Sequence, residues 1–138
     1  MLEKEKVRKC IQELRAFKGT IVVEGKKDKS ALNQIGVKAN ICTIKSSNLS
    51  VSNYAISLGR KMQEKNQKVL ILTDFDKEGN KLAKSLMNKL QHWDVEIDRQ
   101  TRALLKSYLK KDLTTIESLP TLKLEFTHEP LQFKEKFV

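Results

Sequence analysis

The stretch VLILTDFDKEG at residues 69–79 decides the fold. It begins with four consecutive apolar residues, a run of strand length that is typical of a strand buried on both faces of a parallel sheet. Asp74 and Asp76 follow where that strand ends, and Gly79 precedes a helical pattern. Two carboxylates this close repel each other unless a cation, a proton or hydrogen bonds offset their charge. The stretch therefore predicts either a site for a hard metal ion or a turn in which an aspartate caps the next helix.

Strand and helix patterns alternate along most of the chain. Apolar or β-branched runs at 20–23 and 41–44 predict two further strands, and each is followed by a helical stripe. Val95 and Ile97 predict a shorter fourth strand near an edge, and residues 122–126 alternate like an edge strand or a packed extension. Because short connections between parallel strands must carry crossover helices, we expect an α/β fold with a mainly parallel four-stranded sheet and helices on both faces.

The length of 138 residues fits a single domain with one core. We expect one domain over 1–138, with its core at about 19–97. An amphipathic helix with a basic outer face occupies 1–18, and a C-terminal extension covers 99–138. The extension begins with a helix that carries Arg102 on its polar side.

The chain is strongly basic, with 27 Lys and Arg against 17 acidic residues, a net charge of +10 and a pI near 9.6. Such an excess favours polyanionic partners, above all the backbone of RNA or DNA, although a solvated lysine-rich surface would have the same composition. No apolar run approaches the roughly 18 residues of a membrane span, and the charged start does not lead into a signal-type core, so we expect a cytoplasmic protein. Cys10 and Cys42 lack metal-ligand spacing and are expected to be buried free thiols.

Three acidic residues are expected at one edge of the sheet. Glu24 ends the first strand, and Asp74 and Asp76 follow the third. Ligands of open parallel sheets bind beyond the carboxyl ends of the strands, so the three side chains would face one cleft if these strands are neighbours. Oxygen ligands of this kind suit Mg²⁺, with Mn²⁺ as a substitute.

The pairing of IVVEGKKD at 21–28 with LILTDFDKEG at 70–79 resembles the Toprim domain, which topoisomerases, bacterial-type primases, ribosomal-RNA maturation nucleases and small stand-alone primase-like proteins share. The likeness covers about 19–97, and the short length most resembles the stand-alone group. It implies a Rossmann-like Toprim fold. One departure is the stretch TIKSSN at 43–48, where a family glycine is missing.

The resemblance also implies roles for particular residues. Glu24 matches the family glutamate that acts as general acid or base and helps to bind metal. Asp74 and Asp76 match the metal-binding DxD pair, and Gly79 matches the glycine after them.

Contacts to phosphate or nucleic acid are also expected at this edge, although a solvated surface or a turn would explain the same residues. Asp28 is expected to support the first turn of the following helix and not to bind metal. The candidates for phosphate contact are Gly25, Lys26, Lys27, Gly79, Asn80 and Lys81.

The leading functional hypothesis is Mg²⁺-dependent phosphodiester chemistry on nucleic acid, carried out by a small nuclease. An alternative is a basic nucleic-acid-binding or primase-like accessory module without turnover, and the net charge of +10 supports both. A phosphatase of the haloacid-dehalogenase type ranks lower, because its motif requires Thr or Val where this chain has Glu78.

Overall fold

The computed structural model describes residues 2–109 and 115–120. Its helices are α1 at Leu2–Ala16, α2 at Lys26–Gln34, α3 at Val51–Lys65, α4 at Lys77–Leu90 and α5 at Arg99–Leu109. Its strands are β1 at Thr20–Val23, β2 at Asn40–Thr43 and β3 at Val69–Ile71. Two short 3₁₀ turns lie at Lys45–Ser47 and Ile116–Ser118.

The strands form a parallel sheet in the order β2-β1-β3, with β1 in the centre. Ile21 of β1 lies opposite Ile41 of β2 and Leu70 of β3. Each strand is joined to the next in sequence by a helix, as the short connections require. The predicted α/β fold with a parallel sheet is therefore confirmed. Since β1 and β3 are neighbours, their carboxyl ends meet at one place on the sheet edge.

The predicted fourth strand is wrong in extent, because among the described residues the sheet has three strands. Ile97 makes only an isolated parallel bridge to Val69. The chain then leaves the sheet, because the Asp98 side chain accepts a hydrogen bond from the Thr101 backbone at 2.8 Å in the first turn of α5. The predicted edge strand or packed extension at 122–126 lies outside the described residues.

Helices cover both faces of the sheet, as predicted. Alternate β1 residues point to opposite faces, so Ile21 and Val23 join one hydrophobic cluster while Val22 joins the other. The first cluster packs residues of α1, α2 and α5 against the sheet. The second packs α3 and α4 against the opposite face, and Trp93 contacts it as a packing residue.

The buried apolar residues of the C-terminal extension belong to the first of these clusters. Leu105 of α5 and Ile116 and Leu119 at the second 3₁₀ turn are each only 1% exposed. That turn packs on α2, which follows the carboxyl end of β1. The extension therefore reaches the edge of the sheet where ligands are expected.

Both cysteines are free thiols. Cys10 is buried as predicted, and burial, with a smaller contribution from Glu13, raises the pKa of its thiol to about 12. Cys42 is only partly buried, because it lies in β2 at the edge of the described sheet. In the part of the chain that the structure describes, no helix has the length and apolar character needed to cross a membrane.

Candidate functional site at the carboxyl edge of the sheet

The structure brings Glu24, Asp74 and Asp76 together at the carboxyl ends of β1 and β3. The backbone N–H of Asp74 donates a hydrogen bond to Glu24 Oε2 at 3.1 Å, which fixes the two loops against each other. All three carboxylates line one cleft of about 580 Å³. The other residues lining this cleft, here named the α3–α4 cleft, are Val51, Glu78, Gly79, Lys81, Leu82 and Ser85.

Each of these carboxylates has one oxygen held by a backbone N–H group. Asp74 Oδ1 accepts from Ile116 at 3.0 Å, and Asp76 Oδ1 accepts from Gly79 at 2.7 Å as the N-cap of α4. Glu24 Oε2 accepts from Asp74. The second oxygen of each carboxylate accepts no hydrogen bond from any residue of the described chain. One oxygen of each acid is thus positioned by the protein, and the other remains free to bind a ligand.

These free oxygens are ligands of the type that a hard divalent cation prefers. Within residues 2–109 and 115–120, however, no group of three or more His, Cys, Asp and Glu side chains could hold a metal ion by itself. Mg²⁺ commonly keeps several waters and is bound by one or two carboxylates together with substrate phosphates. The residues present therefore fit a cation that is held by part of the acidic set and completed by water and phosphate.

Electrostatic strain is concentrated on Asp74. Burial raises the pKa of its carboxyl group above the ordinary value, and the neighbouring Glu24, Asp28 and Asp76 raise it further. The hydrogen bond from the Ile116 N–H opposes this shift in pKa. A bound cation would relieve the repulsion among these carboxylates.

Arg102 is a buried residue that binds the backbone of the site. Its predicted place on the polar side of a helix is wrong. The side chain is only 6% exposed. Its Nη1 donates to the backbone carbonyls of Ile71 at 3.1 Å and Thr73 at 2.9 Å. Its Nη2 donates to the Asp74 carbonyl at 3.3 Å and to the Asn80 side chain at 2.9 Å. The guanidinium thereby binds both the end of β3 and the start of α4.

Burial lowers the pKa of Arg102 to about 10, while the negative charges of Glu24 and Asp74 act in the opposite direction. The group is therefore still protonated at neutral pH, and its charge lies beside the acidic cluster. The guanidinium also lies over the Phe75 ring, 4.9 Å from the ring centroid. A signal in the sequence was available: Arg102 lies three residues before the buried Leu105 and so falls on the apolar stripe of α5.

Gly79 allows two parts of the site to touch. A Cβ atom at this position would lie 2.0 Å from the Asp74 carbonyl oxygen. The Gly79 carbonyl in turn accepts a hydrogen bond from the buried Thr73 hydroxyl at 2.6 Å. The Asn80 side chain, a candidate for phosphate contact, has both polar ends engaged within the protein, since it also donates to the Phe75 carbonyl at 3.1 Å.

A second cavity of about 480 Å³, here named the lysine cavity, shares Glu24 and Asp74 with the α3–α4 cleft. The predicted supporting role of Asp28 is confirmed, because its Oδ2 accepts from the Gly25 N–H at 3.0 Å in the first turn of α2. Lys45 also lines this cavity and was not predicted from the sequence; it lies in the loop where the family glycine is absent. The remaining lining residues are Gly25, Lys26, Lys27, Asp28, Ser46 and Glu117.

The fold and the site together define a class of protein: parallel α/β domains that carry acidic residues on two loops at the carboxyl edge of the sheet. The Toprim domain family model matches residues 19–111, and the chain belongs to that family. A UPF0292 protein of Thermococcus onnurineus is 38% identical over 121 residues, which cover 88% of this chain and 86% of its own. A UPF0292 protein of Methanocaldococcus jannaschii is 30% identical, covering 83% of this chain and 88% of its own. The structure of a putative protein from Aquifex aeolicus matches with a TM-score of 0.63 at 26% identity, covering 80% of this chain and 95% of that one.

Family membership supports a general function. Toprim domains typically bind divalent metal ions and are associated with nucleic acid. The acidic edge and the net charge of +10 agree with that general function.

The contact at Gly79 predicts that Gly79→Ala destabilises the protein. The added methyl group would overlap the Asp74 carbonyl, and overpacking of this kind should lower the free energy of unfolding by about 2 kcal/mol despite the better helix propensity of alanine. Gly25→Ala is the matched control, because its Cβ would meet only the Lys45 side chain at 3.9 Å, and it should cost less than about 1 kcal/mol. Urea unfolding measures both, and equal stability of the two variants would contradict the proposed contact.

The network around Arg102 predicts that Arg102→Met lowers the free energy of unfolding by about 3 kcal/mol, since buried backbone carbonyls would lose their hydrogen-bond donor. Lys106→Met removes the same charge from an exposed position of the same helix and should change stability by less than about 0.5 kcal/mol. Thermal and urea unfolding are suitable measurements. Similar losses in both variants would show that the network is not specific to Arg102.

Proposed function

We propose that this protein is a Mg²⁺-dependent nuclease that hydrolyses phosphodiester bonds in nucleic acid. The observation that carries the proposal is the arrangement of Glu24, Asp74 and Asp76. Each has one oxygen bound by a backbone N–H and a second that accepts no hydrogen bond from the described chain, and all three residues line one cleft. Carboxylates that served only as caps or turn residues would have no reason to converge from two separate loops.

Asp74 and Asp76 would hold the Mg²⁺, and Mn²⁺ would be able to replace it. The bound ion would neutralise charge that develops on the phosphoryl oxygens and lower the pKa of a bound water. Backbone hydrogen bonds from Ile116 and Gly79 keep the two aspartates in position. Arg102 also donates to the backbone carbonyl of Asp74, so the candidate ligands are oriented before the substrate binds.

Glu24 is the candidate general acid or base. Its Oε2 is fixed by the Asp74 N–H, which leaves Oε1 to accept a proton from the attacking water or to pass one to the leaving oxygen. Glu24 lies at the boundary of both cavities, beside the two candidate metal ligands. This is the position that a proton-transfer group requires if the reacting phosphate is bound by Asp74 and Asp76 through the cation.

Basic residues next to the acids would bind the nucleic-acid backbone. Lys26 and Lys27 line the lysine cavity, and Lys81 lines the α3–α4 cleft. The N-terminus of α4, close to Gly79, adds a favourable field for phosphate. Contacts of this kind position the backbone and carry no sequence information, so we expect little sequence preference.

Glu24→Gln should reduce cleavage of labelled RNA or DNA by at least about 100-fold in Mg²⁺, because the amide can still accept the Asp74 hydrogen bond but cannot transfer the proton. Glu64→Gln, on the exposed surface of α3, is the control and should retain full activity. Gel analysis with and without Mg²⁺ measures both. Full activity of Glu24→Gln would end its proposed role, and salt-dependent binding without cleavage in any metal would select an accessory binding module.

A further inference from the structure

The two cavities both lie at the carboxyl edge of the sheet and share acidic residues. The α3–α4 cleft is lined by residues at or near the N-terminal ends of α3 and α4, which pack on one face. The lysine cavity is lined by the start of α2, by Lys45 and Ser46 of the first 3₁₀ turn, and by Glu117 of the second. Glu24 and Asp74 line both cavities. The candidate reaction centre thus borders both cavities.

The lysine cavity holds cations that are available to a ligand. Lys26, Lys27 and Lys45 are exposed, and none forms an ion pair with an acidic residue of the described chain, although Asp28 and Glu117 line the same cavity. Lys45 is fixed near the acids through its backbone N–H, which donates to the Glu24 carbonyl at 2.9 Å. Three unpaired ammonium groups beside the reacting edge are suited to the phosphates of a polyanion.

The α3–α4 cleft has a different character. Val51 and Leu82 are partly exposed and give it an apolar wall, and Lys81 is its only lysine among the described residues. Because four acidic residues, Glu24, Asp74, Asp76 and Glu78, also line it, the cleft is suited to a sugar and base, which carry less charge than the phosphates. Each cavity has the size of a site for one small molecule, so each would hold about one nucleotide of a single strand and not a duplex.

We propose that a single nucleic-acid strand crosses the edge of the sheet from the lysine cavity to the α3–α4 cleft, so that the enzyme cuts within the strand and not from an end. This inference rests on the proposed nuclease function and deepens it. The strand can continue past Glu24 and Asp74 in two directions because these residues border both cavities. In the reaction, the oxygen of water bonds to phosphorus and water gives up a proton, while one P–O ester bond breaks and the leaving oxygen gains a proton. Because the cut lies within the strand, each product keeps the part of the chain on its side.

Circular single strands test the inference, because an enzyme that requires an end cannot cut them. We expect the wild-type protein with Mg²⁺ or Mn²⁺ to convert circular single-stranded DNA or RNA into linear chains at a rate within about threefold of its rate on linear strands of equal length. A duplex of the same sequence should be cut at least tenfold more slowly. Mononucleotide release from linear strands with the circle intact would overturn the inference while leaving the proposed nuclease function standing. Preference for the duplex would also overturn it.

A binding experiment separates the strand path from turnover. Fluorescence anisotropy with a labelled single-stranded circle should show weaker binding, by threefold or more, for Lys27→Ala/Lys45→Ala and for Ser85→Glu, which change opposite cavities. The lysine variant should also reduce the salt dependence of binding by about 1 per lysine. The controls are Lys61→Ala/Lys84→Ala and Asn88→Glu, which make the same charge changes on exposed helix surface outside both cavities.

The outcomes of the two experiments are distinguishable. If neither circle nor linear strand is cut in either metal, the proposed nuclease function fails, while loss of binding in both cavity variants still supports the crossing strand. If only one cavity variant loses affinity, or if the control variants lose as much, the strand does not cross the edge and the inference is overturned.

Discussion

The hydrogen bonds from buried Arg102 to the end of β3 are the constraint on which the site depends. Parallel strands leave backbone carbonyls unpaired where they end, and the guanidinium binds three of them while also binding the Asn80 side chain. A guanidinium has enough donors in one plane to do this, whereas a lysine ammonium does not have that geometry. The loop that carries the two aspartates therefore has its backbone fixed by Arg102, which opposes displacement of the loop by repulsion between the carboxylates.

At the acidic edge, helix capping does not exclude the proposed metal binding. Asp76 caps α4 with one carboxylate oxygen, and Asp74 accepts a backbone N–H from the C-terminal extension in the same way. In both residues the second oxygen remains free of hydrogen bonds from the described chain. The backbone hydrogen bonds thus fix the direction of each carboxylate, and this fixed direction is what a cation site requires.

Much of this arrangement could be predicted from the sequence, because it depends on local pattern. Apolar runs gave the three strands, and the position of Glu24 and the DxD pair just after two of them placed the acids on one edge. Contacts between distant segments could not be predicted in this way. The Ile116 N–H reaches Asp74 across 42 positions, and only the packing of the C-terminal extension brings it there. The prediction of a full fourth strand was wrong because the chain makes one isolated β-bridge at Ile97 and then begins α5 after Asp98.

The central proposal is that Asp74 and Asp76 hold a divalent cation beside Glu24, where the two cavities share residues. The most direct test is the anomalous diffraction of crystals soaked in Mn²⁺. The account predicts an anomalous peak in the cleft, bonded to carboxylate oxygens of Asp74 and Asp76 and close to Glu24, which is absent from crystals of Asp74→Asn. Saturating Mn²⁺ without a peak at these residues, or with a peak only elsewhere on the protein, would contradict it.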